Sequence, residues 1–387
     1  MAAPSLRIVV PRFGDAIVGG SEGLARRLAS ALGARGWDVE VWSTTAVDEA
    51  TWSGDLALNE HGTGYVVRRF RVAARRPPGP FHQATRVFFR LPGTARPESL
   101  WLRGQGPYAP SLVRALARAE TRPTLFTPYL YYPTVYGLPA APHPRLLIHA
   151  AHDERPLRLA SVGRAIAAAD ALWYGTPEER DLVELVHPRA SAIPHAIGTV
   201  GIDGPRGDAA RFRARFGLDD PLLFYGGRAA PGKGVDLLLE AHSLIRAQHP
   251  ELRLVVAGTD LPPLPEGTVA TGRLDDDAWH DALAAAFAVI IPSTMESLSL
   301  LALDAWTEAR PCLVNAGSPV LAGQVGRSGG GVTFEGAADL AAQVDALLTR
   351  PAVADRMGDA GRAYVETNHR WEDVVERLAA LIEGRQP

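Results

Sequence analysis

A single lysine, Lys233, follows closely after Gly226-Gly227-Arg228, and every other long cationic side chain in the 387 residues is arginine. A lysine ammonium meets a phosphate oxygen as a compact point charge, whereas arginine binds with a planar fork of fixed geometry. Two cations of different shape beside glycines therefore predict a clamp for a diphosphate. The alternative is that the lysine falls by chance in an exposed turn.

A second candidate segment runs from Pro292 to Leu300 and leads into a helix that carries Asp304. If the eight residues from Glu296 to Asp304 are helical, they rise about 12 Å, so the two carboxylates reach opposite ends of an elongated ligand. Carboxylates accept hydrogen bonds from a vicinal diol, and amides at a helix start bind phosphate. This arrangement suits a sugar, a diphosphate and a ribose laid end to end. Alternatively, Glu296 is a capping carboxylate and Asp304 is a solvated helix residue.

The first half of the chain has its own glycine pair, Gly19-Gly20, before a helix whose first turn holds Ser21 and Glu22. Glycines let a ligand approach the backbone, and the free amides and the helix dipole favour negative charge. A plain glycine-rich turn with Ser21 as the helix N-cap fits the pattern equally well.

Aromatic side chains cluster around Pro133, where Tyr129, Tyr131, Tyr132 and Tyr136 follow one another closely. Such rings could stack on the sugar rings of an acceptor. They could equally form a packed strand and turn.

The segment from His61 to Pro97, here called the arginine-rich segment, contains no acidic residue. It could rest on an anionic membrane or bind an anionic acceptor. Because Pro77 to Pro80 interrupt it, we do not expect one continuous amphipathic helix, and a solvated, mobile loop on the acceptor side is the alternative. Its arginines and phenylalanines are Arg68, Arg69, Arg71, Arg75, Arg76, Arg86, Arg90 and Arg96, with Phe70, Phe81, Phe88 and Phe89.

These residues lie in a chain that alternates apolar runs with helical stretches, which is typical of parallel sheets covered by helices on both faces. The pattern predicts two tandem doubly wound domains, residues 1–200 and 201–370, joined through a glycine-rich linker at Gly198 to Arg211. The stretch from Asp339 to Glu383 is predicted to be helical throughout. The predicted strands are Leu6 to Val10, Val39 to Ser43, Tyr65 to Arg71, Thr124 to Thr127, Arg145 to Ala150, Ala171 to Tyr174, Ala190 to Ile193, Leu222 to Tyr225, Leu252 to Ala257, Thr268 to Ala270, Phe287 to Ile291 and Cys312 to Asn315.

Composition narrows the classes of function. A net charge of −3 argues against the broad basic surface of a nucleic-acid-binding protein. Cys312 is the only cysteine, which excludes an intramolecular disulfide and argues against a cysteine metal site. The N-terminus lacks the apolar core of a signal peptide, and the longest apolar stretch, Ala282 to Pro292, is too short to cross a bilayer. We therefore expect a cytoplasmic protein.

Taken together, Gly19-Gly20, Gly227-Arg228 with Lys233-Gly234, and Glu296 with an acid eight residues later resemble the retaining glycosyltransferases of family 4, or glycosyl transferases group 1. The similarity covers nearly the whole chain, including a Met-Gly-Asp-Ala-Gly-Arg stretch at Met357 and a helix beginning near Trp371. It implies the GT-B fold, in which two Rossmann-like domains face each other across a cleft. It also implies that the last segment, residues 371–387, crosses back to the N-terminal domain.

The resemblance also implies roles for individual residues. Arg228 and Lys233 would bind the donor diphosphate and offset the charge that grows on it, while Glu296 would contact the donor sugar. Asp304 would bind the ribose. His152 would lie near the donor sugar, Arg273 would border the base, and the other donor-binding positions are Gly19, Gly20, Gly227, Ser297, Leu298 and Ser299.

The chain departs from the family pattern where Asp304 replaces a glutamate and Ser297 and Ser299 replace glycines. These changes favour, as an alternative, a protein that binds a nucleotide sugar without transferring it. A nucleotide-sugar epimerase or a phosphorylase is a further alternative.

As a reaction, the resemblance implies transfer of a sugar, with retention of configuration, from a nucleotide-diphosphate sugar held mainly by the second domain. The acceptor, held mainly by the first domain, would be a carbohydrate, a lipid-linked molecule or another small molecule. Arg228 and Lys233 should stabilise the charge of the leaving diphosphate, so no metal or other cofactor is expected.

Overall fold

A computed structural model of the protein describes residues 3–15, 17, 19–227, 229–230, 232–258 and 261–386. Contacts divide the chain into two compact units. Unit 1 comprises Met1–Val200 and Trp371–Pro387, and unit 2 comprises Gly201–Arg370.

The described residues of unit 1 form a sheet of eight strands. These are β1 (Ser5–Val9), β2 (Asp38–Thr44), β3 (Asn59–Gly62), β4 (Tyr65–Phe70), β5 (Thr124–Phe126), β6 (Arg145–Ile148), β7 (Ala171–Tyr174) and β8 (His195–Ile197). Their order is β3-β4-β2-β1-β5-β6-β7-β8, and every neighbouring pair is parallel except β3 and β4. Because helices cover a parallel sheet on both faces, inner strands such as β7 are buried along their whole length.

Helices connect these strands and cover the sheet. They are α1 (Gly20–Ala34), α2 (Pro78–Phe88), α3 (Glu98–Gln105), α4 (Pro110–Leu116), α5 (Tyr132–Gly137), α6 (Ala160–Ala167) and α7 (Pro177–Val186). Helix α1 shows why the sequence folds this way, since Leu24, Leu28 and Leu32 recur at four-residue spacing and are all buried.

One strand prediction in unit 1 is wrong. Residues Pro188–Ala192 form a 3-10 helix, and the strand begins only at His195. Pro188 favours the first helical position because its φ is already fixed and its missing N–H is not needed there. Pairing with β7 starts after this turn, where the carbonyl of Pro194 accepts the N–H of Leu172 at 2.9 Å.

Unit 2 has a second parallel sheet, with six strands among its described residues. These are β9 (Leu222–Gly226), β10 (Arg253–Ala257), β11 (Thr268–Gly272), β12 (Ala288–Ile291), β13 (Cys312–Asn315) and β14 (Gly331–Phe334). Their order is β11-β10-β9-β12-β13-β14. The sequence predicted the first five strands but missed β14, which is short and only partly buried.

The helices of unit 2 are α8 (Ala209–Phe216), α9 (Val235–Gln248), α10 (Asp276–Ala285), α11 (Leu300–Thr307), α12 (Pro319–Ser328), α13 (Gly336–Leu348) and α14 (Pro351–Asn368). Helix α8 begins inside the predicted linker because the side chain of Asp208 accepts two backbone N–H groups at the helix start. The prediction of an unbroken helix from Asp339 onward is wrong, since Pro351 ends one helix and begins the next.

The last helix, α15 (Trp371–Ile382), belongs to unit 1. Trp371, Val374, Leu378 and Leu381 are buried along one face of this helix, which packs against β6, β7 and β8.

In each sheet, the order in which the strands are added reverses beside the first strand of that unit. In unit 2, β9 lies between β10 and β12, and in unit 1, β1 lies between β2 and β5. In open α/β sheets, ligands bind beyond the carboxyl ends of the strands at such switch points. The loops that follow β9 and β12 are therefore the first place to look for a ligand site in unit 2.

Candidate functional site

Lys233 and Glu296 meet at the switch point of unit 2. Lys233 lies between β9 and α9, Glu296 lies between β12 and α11, and the two strands are neighbours in the sheet. The Nζ atom of Lys233 donates to Oε1 of Glu296 at 2.7 Å. The lysine side chain is 38% exposed and the glutamate 14%, so the pair stands at the surface of the unit with its cation open to solvent.

The backbone beside Lys233 holds the two loops together. Thr294 donates its N–H to the carbonyl of Gly232 at 2.9 Å, which joins the loop after β9 to the loop after β12. Gly234 has a φ of 70° in the left-handed region, and a Cβ there would lie 2.3 Å from the carbonyl oxygen of Pro292. A glycine is therefore required at position 234 for the loops to approach each other this closely.

Ser293 and Asn315, to which the sequence analysis assigned no role of their own, also hold these loops in place. The buried hydroxyl of Ser293 donates to the carbonyl of Gly232 at 3.1 Å. Asn315, at the end of β13, donates from Nδ2 to the carbonyl of Pro292 at 2.9 Å and accepts the N–H of Gly317 at 2.8 Å. The signal in the sequence was an asparagine at the end of a buried strand. Through its contact with Pro292, Asn315 joins the loop after β13 to the loop that carries Glu296.

Arg228, the second predicted cation, lies outside the described residues. Its neighbour Gly227 donates its N–H to the carbonyl of Ala257 at 2.9 Å, so the end of β9 stays bound to β10. Arg273 follows β11, which is separated from β9 by β10, and its side chain is exposed. The roles predicted for both arginines stay predictions.

Helix α11 begins at Leu300, so the residues between Glu296 and Ser299 are not helical and the estimate of a helical rise from Glu296 to Asp304 is wrong. Ser299 is the N-cap, because its hydroxyl accepts the N–H of Ala302 at 3.3 Å. The N–H of Ser299 donates to the side chain of Gln324 at 3.0 Å, so this amide is already satisfied within unit 2. Ser297 and Leu298, like Glu296, lie in the loop that precedes α11.

Asp304 is only 2% exposed, so the interpretation of this residue as a solvated helix side chain is wrong. Its Oδ2 accepts the indole N–H of Trp279 at 3.1 Å. The Trp279 ring packs edge-on against Phe224 of β9, with the ring centroids 5.4 Å apart. The indole N–H of Trp279 thus holds the buried carboxylate of Asp304. The predicted contact of Asp304 with a ribose stays a prediction.

In unit 1, the first turn of the helix that follows Gly19 contains an acidic residue, Glu22. Helix α1 begins at Gly20, its N-cap is Gly19 and no side chain caps it, so the interpretation of Ser21 as the N-cap is wrong. Glu22 in the first turn pairs with Arg12 at 2.7 Å, and burial raises the pKa of Glu22. A carboxylate already placed at the positive end of the helix competes with any anionic ligand there.

His152 lies after β6 on a loop that Glu179 organises. Glu179 accepts the N–H of Ala151 at 2.7 Å and that of Gly175 at 2.6 Å, so it joins the loops after β6 and β7. Burial raises the pKa of Glu179 to about 7. Nδ1 of His152 is buried and has no hydrogen-bond partner among the described residues. The sequence analysis did not select Glu179, since a glutamate in the first turn of a helix is common.

The predicted acceptor-side tyrosines are packed into unit 1. Tyr129 and Tyr132 are buried, and the Tyr129 hydroxyl donates to Glu154 at 2.8 Å. The Tyr131 hydroxyl donates to Glu49 at 3.0 Å. The pKa values of Tyr129, Tyr131 and Tyr132 are raised, and burial is the largest cause for each. Tyr129 and Tyr132 are packed, as the alternative predicted, but Tyr132 and Tyr136 lie in helix α5, so the predicted strand is wrong.

Much of the arginine-rich segment is also structural. The buried Arg69 guanidinium donates to the carbonyls of Phe13 and Ala57 and pairs with Glu60 at 2.6 Å. The Phe88 ring stacks on Trp101 with centroids 5.3 Å apart. The segment is not one continuous helix, as predicted, because strand β4 ends at Phe70 and α2 begins only at Pro78. Since Pro78 and Pro80 lie in the first turn of α2, the alternative of a loop is wrong for this stretch. Among the residues described, no helix is long and apolar enough to span a bilayer.

The two parallel-sheet units define the GT-B fold, and solved structures confirm it. Sucrose-phosphate synthase from Thermosynechococcus elongatus superposes with a TM-score of 0.73 at 18% identity, covering 98% of both chains. The Anabaena protein Alr3699/HepE in complex with UDP-glucose superposes with a TM-score of 0.69 at 14% identity, covering 98% of this chain and 99% of that one.

Sequence comparison identifies the relatives within this fold. Residues 208–364 match the family model of glycosyl transferases group 1, which confirms the predicted resemblance to this group over that part of the chain. D-inositol 3-phosphate glycosyltransferase 1 of Catenulispora acidiphila is 32% identical over 269 residues, which are 59% of this chain and 62% of that protein. The match thus spans less than two thirds of that relative's length.

Proposed function

We propose that this protein transfers a sugar from a nucleotide-diphosphate sugar to an acceptor, with retention of configuration at the transferred carbon. The observation that carries the proposal is the 2.7 Å pair of Lys233 and Glu296 at the switch point of unit 2. This unit contains the residues that match the glycosyltransferase family. The UDP-glucose bound to the structurally similar Anabaena protein supports a donor of this class.

The pair provides two functions that a sugar nucleotide needs. A diphosphate competes with Glu296 for the ammonium of Lys233, and the freed carboxylate then accepts hydrogen bonds from sugar hydroxyls. Because negative charge grows on the diphosphate as the glycosidic bond breaks, Lys233 stabilises the transition state more than the bound substrate. We propose that Arg228 assists it and that no metal ion is required.

The acceptor is proposed to bind to unit 1 and to be a carbohydrate, a lipid-linked molecule or another small molecule. We also propose a cytoplasmic location with peripheral contact to an anionic membrane. The support for that contact is a patch on and near α2 where exposed Val87 and Leu91 adjoin exposed Arg86 and Arg90. Apolar side chains beside cations favour the surface of an anionic bilayer.

The donor site is tested by calorimetry and by consumption of a panel of UDP and GDP sugars with mixed acceptors. We expect Lys233→Ala to lower the transfer rate by about 100-fold or more, the usual cost of removing one such electrostatic group. Lys233→Arg keeps the charge but not its shape and should restore donor binding better than transfer.

Arg253→Ala is the matched control, because Arg253, at the start of β10, is a cation of similar exposure to Lys233 and pairs with Asp220 at 3.0 Å. We expect this variant to transfer sugar like the wild type. Donor binding without consumption would support the alternative of a binding protein, and an isomerised sugar nucleotide would support an epimerase. Unchanged transfer by a folded Lys233→Ala variant would refute the proposed role of the pair.

A further inference from the structure

A cavity of about 600 Å³ opens on one face of the unit 1 sheet, and we call it the arginine cavity. Arg7 of β1 and Glu40 of β2 are direct neighbours in the parallel register, as are Trp42 of β2 and Arg68 of β4. Side chains two residues apart on a strand point to the same face, so these residues share the lining of one cavity. Helix α4 and the turn after it supply the rest of the lining.

The inner wall of the arginine cavity contains two buried donors, on Arg7 and Trp42, that have no acceptor among the described residues. Arg7 is 2% exposed, and its Nε donates to Glu40 at 3.0 Å. Its guanidinium carbon lies 4.3 Å from the centroid of the Trp42 ring. Neither Nη1 of Arg7 nor the indole nitrogen of Trp42 has a hydrogen-bond partner among the described residues. A buried donor left unpaired costs about 1–3 kcal/mol, so both nitrogens favour an acceptor group inside the cavity.

The outer wall adds two cations, Arg114 and Arg118. Arg114 and Arg118 are four residues apart, line the cavity and are exposed. Neither forms a salt bridge within the described part of the chain. Arg68 also lines the cavity, with its guanidinium carbon 5.0 Å from the centroid of the Trp42 ring.

The charge of the residues that line the arginine cavity favours an anionic ligand. Four arginines and two glutamates, Glu40 and Glu120, line the cavity, which gives a formal charge of +4 − 2 = +2. A phosphate monoester carries about −1.5 to −2 charges near pH 7 and offers three acceptor oxygens. A volume of about 600 Å³ also lies within the range of small-molecule sites, so there is room for the organic part of such an ester.

We propose that the arginine cavity binds a phosphate monoester, with Arg114 and Arg118 holding the phosphate oxygens and the buried Arg7 closing the site from below. The cavity lies in unit 1 along the middle of the strands, whereas the proposed donor site lies at the strand ends of unit 2. The inference therefore does not depend on the proposed transferase activity.

The test uses glycerol 3-phosphate as a soluble monoester, titrated by calorimetry and thermal shift at constant ionic strength. Every variant carries Lys233→Ala, so that the donor site does not contribute the signal. We expect stabilisation by the probe in this background and at least a tenfold loss of affinity when Arg114→Gln and Arg118→Gln are added. The matched control adds Arg350→Gln and Arg356→Gln, which remove the same charge from exposed positions of unit 2 that belong to no proposed site, and should bind like the background.

A second arm separates a soluble ester from a lipid headgroup. Vesicles containing phosphatidate, a monoester, are compared with vesicles carrying equal charge as phosphatidylglycerol, a diester. A preference for phosphatidate that disappears with Arg114→Gln and Arg118→Gln assigns the site to a lipid, and binding of glycerol 3-phosphate alone assigns it to a soluble ester. The proposal is overturned if neither probe binds, or if binding survives both substitutions.

Discussion

Replacing Glu179 by glutamine should change the stability of the protein in a way that depends on pH, with a sign that the structure determines. The carboxylate is 1% exposed and accepts backbone N–H groups from Ala151 and Gly175. Burial raises its pKa from 4.5 to about 7, which exceeds the opposing effect of these hydrogen bonds. Folding therefore favours the protonated form of this acid.

The magnitude follows from proton linkage. Because the native state binds this proton more tightly than the unfolded chain, the stabilising contribution of Glu179 is fully present below pH 4.5 and is lost as the pH rises to about 7. Each pKa unit corresponds to about 1.4 kcal/mol. The loss for a shift from 4.5 to about 7 is then about 3 kcal/mol of unfolding free energy.

The measurement is urea unfolding of the wild type and of Glu179→Gln between pH 4 and pH 8. Glutamine does not ionise, so the difference in unfolding free energy, wild type minus variant, should fall by about 3 kcal/mol over this range. Asp181→Asn is the control on the same helix, because Asp181 is exposed, and its difference should stay within about 0.5 kcal/mol. A flat difference for Glu179→Gln, or one that rises with pH, would refute the reasoning.

Three further outcomes are expected. Gly234→Ala should destabilise the protein in urea by more than Gly217→Ala, because both glycines have positive φ but only the Cβ at 234 meets a backbone oxygen, that of Pro292; equal losses would contradict this. Trp279→Phe should cost about 1–3 kcal/mol in the same assay, since Asp304 loses a donor while staying buried, and an unchanged midpoint would count against it. Dialysis against EDTA should leave the transfer rate within about twofold, as expected if lysine rather than a metal offsets the diphosphate charge; a loss restored by Mg²⁺ would show the opposite.

The sequence predicted the parts of the fold that depend on short-range patterns. Apolar runs such as Ala171 to Tyr174 and Leu222 to Tyr225 predicted buried parallel strands, and both are present. Because residues just after parallel strands gather at one sheet edge, the sequence also selected Lys233 and Glu296 for the same ligand, and their side chains are 2.7 Å apart.

Features decided by contacts between distant segments were not predictable. Several hydroxyls between Ser293 and Ser299 could have capped the helix that holds Asp304. Ser299 becomes the N-cap because Gln324, from the next helix, accepts the N–H of Ser299 at 3.0 Å and holds this residue in place. The burial of Asp304 likewise depends on Trp279, a residue 25 positions away in sequence.

The contrast between lysine and arginine in the sequence has a structural counterpart. Arginines such as Arg69 and Arg76 each donate to several backbone carbonyls, a task that suits five donors in a rigid fork. Among the described residues, the Lys233 side chain instead makes one hydrogen bond, 2.7 Å to a single carboxylate oxygen, and it is more than one third exposed. An ammonium held by one partner on a flexible stem can exchange that partner for a phosphate oxygen without breaking a wider network. In the proposed donor site, the one lysine of the chain thus stands at the position where a cation has to change partners.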